Sequence, residues 1–134
     1  VLALHLFNGS FTVRDRELAI LRSGWLSQAP YEWGEHVKIG KRLGSLTDKE
    51  IQQVIVGSSD PAWNEKDRAL IKAVEELHAN AVISDATWDT LAKHFDKKQL
   101  LELPILVGQY QGVAYLQNTL RIRLMPGNDG LRAR

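Results

Sequence analysis

The sequence predicts an all-α fold of about six helices in a single domain, on three observations. Apolar residues recur at three- and four-residue spacing along most of the chain. Runs of β-branched alternation, the mark of strands, are missing. Helix-start signals also stand at regular intervals: Thr12, Thr47, Asn64, Ser84 and Asp96.

The elements follow in order. Thr12 with Asp15 resembles a cap with an acidic first turn, and predicts a helix from about Val13 to Ser27. Leu18, Leu21 and Trp25 form its apolar stripe, with Leu26 at the margin and Arg22 turned outward. After Ala29-Pro30 a second helix is expected from Tyr31 to Leu43, ended by a left-handed Gly44. Thr47 and Glu50 have capping-box spacing and open a third helix carrying Ile51, Val54 and Ile55, which Gly57 ends. The loop Gly57-Ser58-Ser59-Asp60-Pro61 divides the chain into halves without making two domains. Asn64 then caps a helix to about Ala79, and Ser84 one to about Phe95. Asp96 with Gln99 starts a long last helix toward Leu124, which Pro104 should kink or interrupt. Residues 126–134 read as a loose tail.

Composition narrows the function. A chain of 134 residues supports one domain, here taken as 1–134. With 17 Lys and Arg against 16 Asp and Glu, 25% charged and 44% apolar, it fits neither a nucleic-acid-binding tail nor an acidic disordered region. No stretch approaches the roughly 20 apolar residues of a membrane span. The start Val1-Leu2-Ala3-Leu4 has no methionine, basic segment or cleavage site, so the expectation is a cytoplasmic protein seen as a fragment or trimmed product. These 134 residues contain no cysteine, which removes disulfides, redox dithiols and thiolate nucleophiles from the candidate chemistries.

Three side chains stand out. Glu32 and His36 lie one helical turn apart, with Gly40 continuing the face and leaving space above the imidazole, so a carboxylate and an imidazole would share one small opening. The competing reading is a surface pair worth a few tenths of a kcal/mol. Glu35 points away, into solvent. Glu17 sits among Leu18, Ile20 and Leu21 and shares a face with Leu21 and Gly24. Burial there either raises its pKa, making it an acid or base, or it forms a buried ion pair with Arg14 or Arg16. Trp33 is placed to wall an apolar pocket. Glu75 and His78 have Glu-x-x-His spacing, but no second copy completes a di-metal set, and no metal is expected. His5 is a further side chain that can line a site.

Several strings, taken together at their spacing, carry a family resemblance. They are Arg14-Asp15-Arg16-Glu17-Leu18-Ala19-Ile20-Leu21-Arg22, Tyr31-Glu32-Trp33-Gly34-Glu35-His36, Gly44 with Thr47-Asp48-Lys49-Glu50-Ile51, Ser84-Asp85-Ala86-Thr87-Trp88, and Leu101-Glu102-Leu103 with Val107-Gly108-Gln109-Tyr110. The chain from Thr12 onward resembles the carboxymuconolactone decarboxylase family, which includes the AhpD-type alkylhydroperoxidases. The resemblance implies an AhpD-like orthogonal helical bundle, assembled as a homotrimer or homohexamer, whose members commonly carry further helical residues before the point where this chain begins. Peroxidase members have a Cys-x-x-Cys-x-x-x-His motif after a helix-borne glutamate. Here Ala29 and Glu32 occupy the cysteine positions, while His36 and Glu17 match their counterparts. Without a thiolate, peroxidase chemistry is excluded.

The decarboxylase branch is the closer analogue. It implies a cofactor-free lyase acting on a small carboxylated lactone or keto acid of aromatic-compound degradation, without nucleic-acid or membrane partners. Glu17, Glu32 and His36 would be catalytic, and Trp33, Arg14 and Arg16 would contact the substrate. His36 would protonate carbon or stabilise an enolate, Glu32 would orient the imidazole or relay the proton, and Glu17, kept neutral by burial, would serve as second acid. Two other readings remain: a non-enzymatic helical oligomer that binds a ligand or protein, and an isomerase or hydratase using the same residues.

Overall fold

A computed structural model describes residues 9–134, and within them there are six α-helices, one 3₁₀ turn and no strand. They are α1 (Val13–Leu26), α2 (Pro30–Leu43), α3 (Asp48–Val56), α4 (Glu65–Asn80), α5 (Asp85–Ala92) and α6 (Lys97–Leu120), followed by the 3₁₀ turn Gly130–Arg132. The caps act as the sequence predicts. Side-chain oxygens of Thr12, Thr47, Asn64, Ser84 and Asp96 each accept a hydrogen bond from the backbone N–H three residues on, and both capping boxes close.

Helix α1 is the axis of the domain and packs on α2, α4 and α6. It is buried without a break from Glu17 to Gly24. An outward Arg22 is therefore ruled out. Its guanidinium lies inside, donating to the Val54 and Ile55 carbonyls at 3.0 and 3.1 Å and pairing with Glu75 at 2.9 Å. A buried cation needs such partners, and these tie α1 to the end of α3 and to α4. Glu75 is thereby engaged with Arg22 and Ser58, and His78 contacts Gln111.

Six further expectations are corrected. Gly44 is not left-handed (φ −100°); a side chain there would run into the Gly40 carbonyl and the Arg14 backbone. Helix α5 stops at Ala92 rather than Phe95, and α6 at Leu120 rather than Leu124. Pro104 does not interrupt α6, because Leu100, Leu103, Leu106 and Val107 on both sides of it are pinned in the core. Residues 126–134 are docked rather than loose: Asn128 Nδ2 donates to the Tyr31 carbonyl and to Glu35 Oε2, and Ala133 is buried. That contact also corrects Glu35, which pairs with Asn128 and Lys38 instead of standing free in solvent. No helix among the described residues is long and apolar enough to cross a membrane.

Candidate active site

Helices α1 and α2 run antiparallel at short range, and two glycines make that possible. A Cβ on Gly40 would meet Leu46 at 2.8 Å and the Glu17 Cβ at 3.6 Å, while one on Gly24 would meet Glu32 Oε2 at 3.1 Å. The space at Gly40 is thus occupied by the approach of α1 and by Leu46, and does not stand open above the imidazole. The periodicity of each helix supplies the rest: Glu17 and Gly24 share one face of α1, and Glu32, His36 and Gly40 share one face of α2.

The consequence is a buried pair. Glu17, fully buried, has Oε1 2.6 Å from His36 Nδ1, and its Oε2 accepts from Arg16 Nε at 3.1 Å. Because an arginine N–H only donates, Oε2 of Glu17 is an acceptor; Oε1 accepts as well in the tautomer that carries the imidazole proton on Nδ1. Nε2 is the ring nitrogen that Glu17 leaves unengaged. The ion-pair reading of Glu17 is the one that fits, with Arg16 as its cation and His36 as a second partner. The carboxyl group that burial pushes toward the protonated form belongs to a different residue.

That residue is Glu32. It is 2% exposed, and neither carboxyl oxygen has a hydrogen-bond partner among the described residues. Burial, reinforced by the charge on Glu17, pushes its pKa up to about 8, so at neutral pH it is predominantly the protonated acid. No hydrogen bond joins it to His36; the imidazole is oriented from Glu17, on the other helix. Tyr110, on α6, closes the cluster: its ring stands edge-on to His36, with centroids 5.3 Å apart at 88°. Sequence reasoning did not single out Tyr110, whose only signal was its place in one of the family-like strings.

The remaining predicted residues divide. Arg16 stays beside Glu17 and lines a small cavity with Gly9, Phe11, Glu102 and Leu106. Arg14 is directed elsewhere, holding Asp67 at 2.9–3.0 Å and Glu50 at 2.6 Å; these contacts, that with Asp67 first, raise its pKa further and make it a clamp between α1, α3 and α4. Trp33 does not wall a pocket. It is fully buried, edge-on to Trp25, and its Nε1 donates to the Ala133 carbonyl at 3.0 Å, so it anchors the C-terminal segment. His5 lies outside the described residues. No group of three His, Cys, Asp or Glu side chains able to hold a metal occurs among the described residues. Three larger cavities, about 560 Å³ between the start of α2 and the end of α6, about 480 Å³ against α4 and α5, and about 430 Å³ beside the C-terminal segment, are not lined by Glu17, Glu32 or His36.

Comparison with known proteins agrees with this architecture. A crystal structure of a protein of unknown function from Agrobacterium tumefaciens, described as a candidate antioxidant defence protein AhpD, superposes with a TM-score of 0.84 over 92% of this chain and 86% of that one. At 20% identity that likeness establishes the fold. No curated protein matches. The model of the carboxymuconolactone decarboxylase family matches residues 2–76, which include Glu17, Glu32 and His36 on their two helices. With more than half of its length matched and an AhpD-like helical bundle around the pair, the chain belongs to the carboxymuconolactone decarboxylase family.

Proposed function

We propose that the chain is a lyase of carboxymuconolactone decarboxylase type, acting by proton transfer on a small carboxylated lactone or keto acid. The observation that carries this reading is the pairing of an imidazole, oriented by a buried carboxylate at 2.6 Å, with a neighbouring carboxyl group that burial keeps protonated at neutral pH. A carboxyl group held in its protonated form beside an imidazole supplies the proton donor that acid–base catalysis needs.

For a γ-carboxylated unsaturated lactone the steps balance as follows. The bond to the carboxylate breaks, carbon dioxide leaves, and the electron pair passes into the conjugated carbonyl as a dienolate. A ring carbon then takes one proton. Glu32 donates it and is left as a carboxylate, which regains a proton from water. In its imidazolium form His36 donates from Nε2–H to the developing oxyanion, while Glu17 accepts from Nδ1–H and balances the ring's charge. Arg16 supplies the positive charge for the substrate carboxylate. These 134 residues offer no thiolate for the peroxidase chemistry found elsewhere in the family.

Assembly as a homotrimer or homohexamer is part of the proposal. Leu101, Ile105, Tyr115, Leu116 and Leu120 leave an apolar face of α6 exposed, of the kind an interface covers. Light scattering that returns a monomer would remove this part.

The deciding experiment is carbon dioxide release from a γ-carboxybutenolide by the wild-type chain and by His36→Ala. Turnover should fall by about 10²–10⁴-fold in the variant, with helicity by circular dichroism unchanged. Equal turnover in both proteins rejects the assignment.

A further inference from the structure

Tyr110 is 6% exposed as a residue, but its hydroxyl is not one of the fully buried atoms left without a partner, so the oxygen stays within reach of the surface. The other buried residues of α6 are Leu100, Leu103, Leu106, Val107 and Ala114, so Tyr110 is the one residue with a polar group among those this helix buries as a whole. It enters beside the imidazole of His36. Burial, followed by the charges on Glu17 and Glu32, pushes the phenol up to about 12, with Arg16 pulling the other way; the hydroxyl is therefore a donor at neutral pH and stands within electrostatic reach of all three groups.

We propose that the Tyr110 hydroxyl is a ligand-binding donor, which hydrogen-bonds the oxygen of a planar enolate or phenolate held against His36. This rests on the reading of the Glu17–Glu32–His36 cluster as a proton-transfer site. Packing against His36 uses only the ring, and leaves the hydroxyl free to meet a ligand entering from the surface. Glu32, on a different helix, points the same way: both of its oxygens are buried without partners. An unpaired buried carboxyl group is costly in an empty site, and a ligand that carries an oxyanion satisfies it while accepting from the Tyr110 hydroxyl. In the proposed reaction, electron density moves onto the lactone carbonyl oxygen, where a preplaced donor acts on the charge as it develops.

The test uses 4-nitrophenol, whose absorbance separates phenol from phenolate, as a stable planar oxyanion. The wild-type chain should bind the ionised form, and Tyr110→Phe, which keeps the ring against His36, should weaken binding by about ten- to a hundredfold. Equal affinity, or no binding by the wild type, overturns the proposal. An independent readout that needs no variant is the ¹³Cζ resonance of Tyr110 in the wild-type chain, which should move on adding 4-nitrophenolate; a stationary resonance also overturns it. Failure here is separable from failure of the lyase reading. Phenolate binding through Tyr110 without carbon dioxide release from the lactone removes the lyase and leaves the donor, whereas turnover unaffected by Tyr110→Phe does the reverse.

Discussion

Glu17 Oε1 and His36 Nδ1 stand 2.6 Å apart across 19 residues of sequence, and the other oxygen of the same carboxylate is held by Arg16. The contact with Arg16 needs Glu17 to accept, and the contact with His36 needs it too when the imidazole proton is on Nδ1. Replacement by glutamine offers one acceptor and one donor, so whichever way the amide turns, an N–H faces either the arginine or the imidazole. Glu17→Gln should therefore lose roughly 1–3 kcal/mol in urea denaturation and at least about tenfold in turnover. Wild-type stability and turnover in this variant would remove Glu17 from the orienting role.

Glu32 makes stability depend on pH. Its folded-state pKa, about 8, lies above the ordinary carboxyl value of 4.5, so the folded state binds the proton more tightly than the unfolded state does. Stability from this group is fully present below about pH 4.5 and is lost as pH rises through about 8, an effect on the order of 5 kcal/mol. Glu32→Gln, which cannot ionise, should flatten the fall in denaturation free energy between pH 5 and 9. A variant that keeps the wild-type slope would show that another group is responsible.

Arg22 links three elements through two backbone carbonyls and Glu75. Removing the guanidinium in Arg22→Met leaves those acceptors buried, and the expected cost is roughly 3 kcal/mol. Thermal melting measures it directly; an unchanged midpoint would mean that water replaces the arginine without penalty.

Gly34 faces the C-terminal segment so closely that a Cβ there would lie 1.7 Å from Asn128 Oδ1. Gly34→Ala should release the segment, break the Asn128 bonds to Tyr31 and Glu35, and cost about 1–3 kcal/mol. Trypsin should then cut after Arg132 much faster than in the wild type. Equal digestion rates would mean that the segment is not held by Asn128.

Local signals were legible because they act over three or four residues. Thr47 with Glu50 and Asp96 with Gln99 close capping boxes where their spacing places them, and the shared faces of Glu17 with Gly24, and of Glu32 with His36 and Gly40, follow from the helical period alone. The absence of cysteine needs no fold to interpret. Which faces meet is a different matter. An outward Arg22 was a fair inference from the stripe of one helix, but α1 turned out to be enclosed by α2, α4 and α6, and a helix covered on several sides has no outward face to read. The choice of Glu17 over Glu32 as partner of His36, the desolvation of Glu32, the turning of Trp33 toward Ala133 and the arrival of Tyr110 from α6 all depend on groups distant in sequence. Tertiary packing decided them, because hydrogen bonding and desolvation are set by everything surrounding a side chain and not by its neighbours along the chain.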